Sequence, residues 1–90
     1  MADHVLANGM LGRVAELAAD ASGGTVTADV AASGGGSLLE AGLTSLGYLR
    51  LIDAIETEYG IYVDLEEASG KLGTVEQIVD YIHSQGVVDA

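Results

Sequence analysis

Helical periodicity, interrupted at glycines, constrains this chain more than any other feature. From Leu46 the apolar residues are Leu46, Leu49, Ile52, Ile55 and Tyr59, with Leu51 widening the stripe. That spacing predicts a helix over about residues 45–59 with one buried face. Val75, Ile78, Val79 and Ile82 follow i, i+3, i+4, i+7, the cleanest amphipathic pattern in the chain. Thr74 stands where an N-cap belongs, and Gln77 three residues on completes a capping-box pattern. Tyr81 and His83 are expected nearer the rim of that last helix, and Gly86 to end it. Towards the N-terminus Met10, Val14, Leu17 and Ala21 share a face, with Leu11 and Ala18 beside them and Arg13 and Glu16 off it. This predicts a first helix over about residues 4–20, regular only from residue 10. Gly9 and Gly12 would each cost about 1 kcal/mol relative to alanine in a helix interior.

The segments between these helices read differently. Ser22-Gly23-Gly24 ends the first helix, and residues 22–43 form a long connection. Val26, Val30, Leu38 and Leu39 are the candidates to anchor it. Ser37 starts a short helical turn through Glu40, and the three glycines at 34–36 are expected to be mobile. Gly60 closes the 45–59 helix. Ile61 and Val63 then pack inward along an extended link, and Asp64-Leu65-Glu66-Glu67-Ala68 reads as a short helix with acids at its start. The exposed side of the 45–59 helix should include Gly47, Arg50, Asp53, Ala54, Thr57 and Glu58. The fold class is therefore all-α, a small bundle of three main helices plus one short helix. Residues 1–90 are expected to form one domain with a core over about 10–85 and mobile ends at 1–8 and 87–90. Hydrophobic residues make up 49%, but with four Tyr and no Phe or Trp the core must be largely aliphatic.

Charge and composition exclude several functions. Fourteen acidic residues against three basic ones give a formal charge of −11. Nucleic-acid binding rests on cationic contacts to phosphate, so it is not expected, nor is an anionic membrane surface. Partners with basic patches are favoured, met through electrostatic steering. There is no cysteine, and the two histidines lie far apart, so neither disulfides nor a Cys- or His-based metal site is expected. An EF-hand register placing Gly70 and Glu76 correctly puts Leu65 at the first ligand position, which lacks the oxygen required there. The apolar runs are short and broken by charges, and no signal peptide is evident, so a cytoplasmic location is expected.

The junction Gly42-Leu43-Thr44-Ser45-Leu46 carries the chemistry. Gly42 permits a turn, Thr44 can cap the helix that follows, and Ser45 falls in its first turn at the electropositive end. Backbone N–H groups there favour a phosphate group. The segment supplies no base, and His4 and His83 lie near the chain ends, so Ser45 suits permanent phosphodiester attachment better than nucleophilic catalysis.

Gly42-Leu43-Thr44-Ser45-Leu46 resembles the Gly-X-Asp-Ser-Leu signature of acyl and peptidyl carrier proteins. Leu49 to Ile61 is similar to their second helix and its exit, and Thr74 to Ile82 to their last helix. The resemblance covers roughly residues 38 to 83, and the first helix more loosely. It implies a non-enzymatic carrier of the discrete, type II form, with an acyl-carrier-like bundle and a long first loop. Ser45 would bear 4′-phosphopantetheine, added from coenzyme A by a phosphopantetheinyl transferase, and an acyl or aminoacyl intermediate would ride on it as a thioester. Loading enzymes and downstream synthases with basic docking patches would meet Thr44, Leu46, Gly47, Arg50, Asp53, Glu58 and Glu66. Leu49, Leu65, Ala68 and Leu72 would border a cargo pocket. The carrier would be a monomer. Gly47 and Arg50 depart from the acidic helix of fatty-acid carriers, and the Leu38-to-Gly42 spacing looks more like polyketide or nonribosomal-peptide carriers. Thr44 stands where the family usually has Asp, so it offers a cap but no carboxylate for the transferase. The rival reading is an unmodified carrier-like helical module binding basic partners through Asp53, Glu56, Glu58, Glu66 and Glu67.

Overall fold

The computed structural model describes residues 3–32, 37–66, 70 and 72–87, with side chains from residue 9 onward and that of residue 32 excepted. The expected mobility of 34–36, and the roles given to Glu67 and Ala68, lie outside the described residues. Among the described residues there are five helices: α1 Asp3–Ala21, α2 Ala28–Ala32, α3 Leu38–Ala41, α4 Ser45–Tyr59 and α5 Val75–Ser84. Among the described residues there is no strand, so the fold is all-α as expected. None of the described helices is long and apolar enough to cross a membrane.

α1 is the hub of the bundle, in contact with α2, α4 and α5. Met10, Val14, Leu17, Ala18 and Ala21 are buried along it, as the periodicity predicts, and Ala15 joins them. Gly9 breaks its regularity with φ 49° and ψ −124°, a conformation that a side chain would resist. This explains why the helical pattern reads cleanly only from Met10.

The connection from Ser22 to Leu43 is less of a loop than its composition suggests. The Ser22 hydroxyl donates to the Ala19 carbonyl at 2.7 Å and accepts the Val26 N–H at 2.9 Å, which turns Val26 into the core. α2 follows, a helix that the sequence pattern did not announce, burying Ala31. Val30 and Leu39 were expected to anchor this segment. Both are instead exposed, at 51% and 59%, and Leu43 is buried in their place. α3 begins at Ser37 in a full capping box with Glu40 and ends at Gly42, whose φ of 119° is a left-handed helix stop.

The expected N-caps of α4 and α5 are also present, whereas α5 ends at Ser84 with Gln85 as its C-cap, one residue before the expected Gly86. The Thr44 hydroxyl accepts the Gly47 N–H at 3.0 Å, and Gly60 closes α4. Thr74 and Gln77 form the reciprocal box at the start of α5, which buries Val75, Ile78 and Ile82. Tyr81, expected at the rim, is buried, while His83 is exposed. The Tyr81 hydroxyl accepts the Asp64 N–H at 3.3 Å, so the ring packs inward while its oxygen still has a partner. Val63 is buried and Tyr62 exposed, as expected. Residues 61–64 are irregular and 65–66 form a turn, so the described part of the 64–68 segment is not helical. The Asp64 carboxylate accepts the Glu66 N–H at 3.0 Å, and this side-chain turn competes with a helix there.

The buried face of α4 differs from the one the spacing predicts. Gly47, Leu51 and Ile55 are buried, whereas Leu46 and Leu49 are 57% and 56% exposed. Gly47, which was expected on the outside, lies on the buried face. A Cβ there would stand 2.6 Å from Leu43 Cδ1 and 3.4 Å from the Ala21 carbonyl oxygen. The clash falls on the end of the Leu43 side chain, while the Ala21 oxygen is at ordinary contact distance, so a glycine here seats the start of α4 against Leu43 without displacing that side chain.

Candidate functional site

Ser45 is the first residue of α4 and its side chain is exposed. Thr44 holds the helix start: its hydroxyl takes the Gly47 N–H, and its carbonyl takes the Tyr48 N–H at 2.8 Å. The Ser45 and Leu46 N–H groups have no acceptor within the helix, because the turn that would supply one has not begun. Two donors and the positive helix end therefore lie beside the serine, a setting that favours an anionic group. No acidic residue occupies the first turn of α4.

Ser45 stands at the edge of an open groove of about 540 Å³. α4 contributes Ser45, Tyr48, Leu49 and Ile52, and α3 contributes Leu39. Leu65, Gly70, Leu72 and Gly73 supply the opposite side. Three of the four cargo-pocket residues expected from the resemblance, Leu49, Leu65 and Leu72, thus meet beside Ser45. The fourth, Ala68, is outside the described residues. Tyr48, Ile52 and Leu39 were not foreseen as lining. Tyr48 and Ile52 could have been, since they sit three and seven residues beyond Ser45 on the same helix side. Tyr48 bridges the groove: its hydroxyl donates to the Leu72 carbonyl at 2.9 Å, with the Gly73 carbonyl at 3.3 Å. Burial pushes its pKa above the usual tyrosine value. The Gly73 carbonyl also accepts the Leu38 N–H at 2.8 Å, so α3, α4 and the segment leading to α5 are joined at one point.

The residues expected to meet partners divide into two groups. Thr44 is exposed at the cap of α4, Leu46, Arg50 and Asp53 are exposed on the helix, and Glu66 is exposed beyond it. Arg50 was a candidate to pair with Glu40 or Asp53, but among the described residues it makes no ion pair. Gly47, expected on the exposed side, is buried. Glu58 is engaged within the fold, accepting two hydrogen bonds from Arg13 at 2.9 and 3.0 Å. That guanidinium holds the Glu58 carboxyl below the usual carboxylate range and is itself held more firmly protonated. Glu56 is also occupied: its carboxylate accepts the Val63 N–H at 2.8 Å and ties the exit of α4 back to the helix. Among the described residues no cluster of His, Asp or Glu is arranged to hold a metal ion.

The residues fit a phosphopantetheine group: an exposed hydroxyl for the ester, N–H donors beside it, and an apolar groove within reach. A family model described as the phosphopantetheine attachment site matches residues 11–82. The chain matches no curated protein and no solved structure. The match runs from α1 to within two residues of the end of α5, and by it the chain belongs to the phosphopantetheine attachment-site family of carrier domains.

Proposed function

We propose that Ser45 is the attachment residue and that the chain presents an acyl or aminoacyl group to partner enzymes in polyketide, nonribosomal-peptide or related biosynthesis. Family membership carries the coarser statement: this is a carrier of covalent 4′-phosphopantetheine, not an enzyme, and it works with a transferase and with biosynthetic enzymes. The bound group supplies a terminal thiol on which an acyl group is held as a thioester. On attachment, the Ser45 oxygen forms a bond to the phosphorus of the pantetheine phosphate in coenzyme A. The pyrophosphate bond breaks, adenosine 3′,5′-bisphosphate leaves, and the hydroxyl proton passes to solvent.

The protein's own residues position and present. The supporting observation is the location of Ser45, exposed in the first turn of α4 at the edge of an apolar groove. Thr44 fixes the helix start but offers no carboxylate to a transferase. Leu46, Leu49 and Arg50 give the nearby docking surface a mixed apolar and cationic character, and basic partner patches would meet Asp53 and Glu66 instead. Incubation with coenzyme A and a broad-specificity transferase, followed by intact-mass measurement, tests the assignment. One phosphopantetheine on the parent and none on Ser45→Ala is expected. No gain in a folded parent with several transferases would favour the unmodified interaction module.

A further inference from the structure

The charges of α4 divide once the fold has claimed its share. The helix carries one arginine, Arg50, and three acids, Asp53, Glu56 and Glu58. Both Glu58 oxygens are held by Arg13, and the Glu56 carboxylate by the Val63 N–H. Arg50 and Asp53 are exposed, and among the described residues neither makes an ion pair. What α4 offers a partner is therefore one cation and one anion, with the cation nearer Ser45. From Ala41 to Ile52, Arg50 is the only charged residue, in a chain of formal charge −11. Glu40, the nearest acid before Ser45 in the chain, is turned to the Ser37 N–H in the α3 capping box.

Leu46, Leu49, Arg50 and Asp53 follow i, i+3, i+4, i+7 and are all exposed, so they form one strip, about 10 Å long, on the outer side of α4. An enzyme that acts on the Ser45 hydroxyl has to cover the start of this strip. A basic surface laid there would meet Arg50 with like charge, whereas a carboxylate would gain a cation that nothing in the fold has taken.

We infer that the transferase serving this chain meets α4 with an apolar hollow for Leu46 and Leu49 and a carboxylate opposite Arg50, the reverse of the charge that the chain as a whole attracts. The inference rests on Ser45 as the attachment residue. Arg50 is then a specificity residue: it rejects transferases that are basic at this point and leaves Asp53, three residues farther on, to any basic group beyond.

The test changes residues around the active-site mouth of a broad-specificity transferase, one at a time, to Glu and to Lys. Initial rates with the full chain and coenzyme A are read by intact mass against time. At one position or more, Glu should exceed Lys in kcat/KM towards the parent by about threefold or more, carried by KM. The preference should persist with Arg50→Lys, vanish with Arg50→Gln and invert with Arg50→Glu. A purely structural role for Arg50 would produce no such coupling. Thermal unfolding should show all three variants folded near the parent's Tm, because Arg50 is exposed and has no ion pair to lose. Added salt should shrink each of these differences. A Glu-over-Lys preference absent at every position, or unchanged in Arg50→Glu, would overturn the inference while leaving modification of Ser45 intact. Should Arg50→Glu not fold, retention of the preference in Arg50→Gln overturns it and loss supports it. Absence of mass gain with every form of the transferase would remove the attachment at Ser45 and the inference together.

Discussion

Replacing Gly47 with alanine adds one methyl group to a helix interior, a change that normally stabilises a helix by about 1 kcal/mol. Here the sign should reverse. The new Cβ would lie 2.6 Å from Leu43 Cδ1 and 3.3 Å from Leu43 Cγ, closer than carbon atoms tolerate. Leu43 is 2% exposed, so its side chain has little free space into which to turn. Overpacking of this kind costs about 1–3 kcal/mol. Set against the propensity gain, the net effect is a loss of roughly 0–2 kcal/mol, and a loss near 1 kcal/mol lowers Tm by about 4–8 °C in a domain of this size. Urea unfolding followed by far-UV circular dichroism measures it, with Leu43→Ala as the second arm of a double-mutant cycle. Leu43→Ala alone should cost about 2–5 kcal/mol. In that background the obstruction is gone, and Gly47→Ala should become neutral or stabilising by up to about 1 kcal/mol. A Gly47→Ala protein more stable than the parent, or a cycle with no coupling between the two sites, would refute the close seating of α4 against Leu43.

Other expectations follow from the same geometry. Leu51→Ala should cost about 2–5 kcal/mol because Leu51 is fully buried, whereas Leu46→Ala should cost under about 1 kcal/mol; comparable losses in chemical denaturation would contradict the assignment of the buried face. Thr44→Ala should lose about 1 kcal/mol with the N-cap, while Thr44→Asp keeps the cap and should be modified faster by the transferase, as read by mass against time. The Arg13–Glu58 pair lowers the folded-state pKa of Glu58, so its contribution is present above the usual carboxylate pKa and is lost as pH falls through the lowered value. Thermal melts from about pH 6 down to pH 3 should therefore show the parent converging on Arg13→Gln, and added salt should shrink the difference at the upper end, since both groups are exposed. A difference that grows on acidification would contradict this.

Residue-level order at the starts of α3, α4 and α5 was legible in the sequence because its causes are local. A cap joins residues three positions apart, so Ser37 to Glu40, Thr44 to Gly47 and Thr74 to Gln77 could be read from spacing alone. Gly60 marked the end of α4 for a similar reason. The attachment candidate was equally legible, since Ser45 needs only a capped first turn and the flanking signature. α5 presents a single narrow apolar stripe, so its inward face was nearly unambiguous, and only Tyr81 was misjudged.

Tertiary packing decided what these local rules leave open. Apolar residues cover more than half the circumference of α4, so spacing alone admitted more than one inward face. Packing buried Gly47, Leu51 and Ile55 and left Leu46 and Leu49 outside, with Gly47 seated against Leu43. Between Ser22 and Leu43, burial fell on Val26, Ala31, Leu38 and Leu43 and passed over Val30 and Leu39, because α2 packs on α1 while α3 is tied through Leu38 to the segment before α5. The availability of the carboxylates was likewise invisible, since Glu58 is bound to a residue 45 positions away and Glu56 to a backbone N–H seven positions on. The groove joins α3, α4 and the segment before α5 through the Tyr48 hydroxyl, 24 and 25 residues from its acceptors. Hydrogen bonds across three or four residues leave a pattern in the sequence, whereas contacts across dozens of residues exist only once the chain has packed.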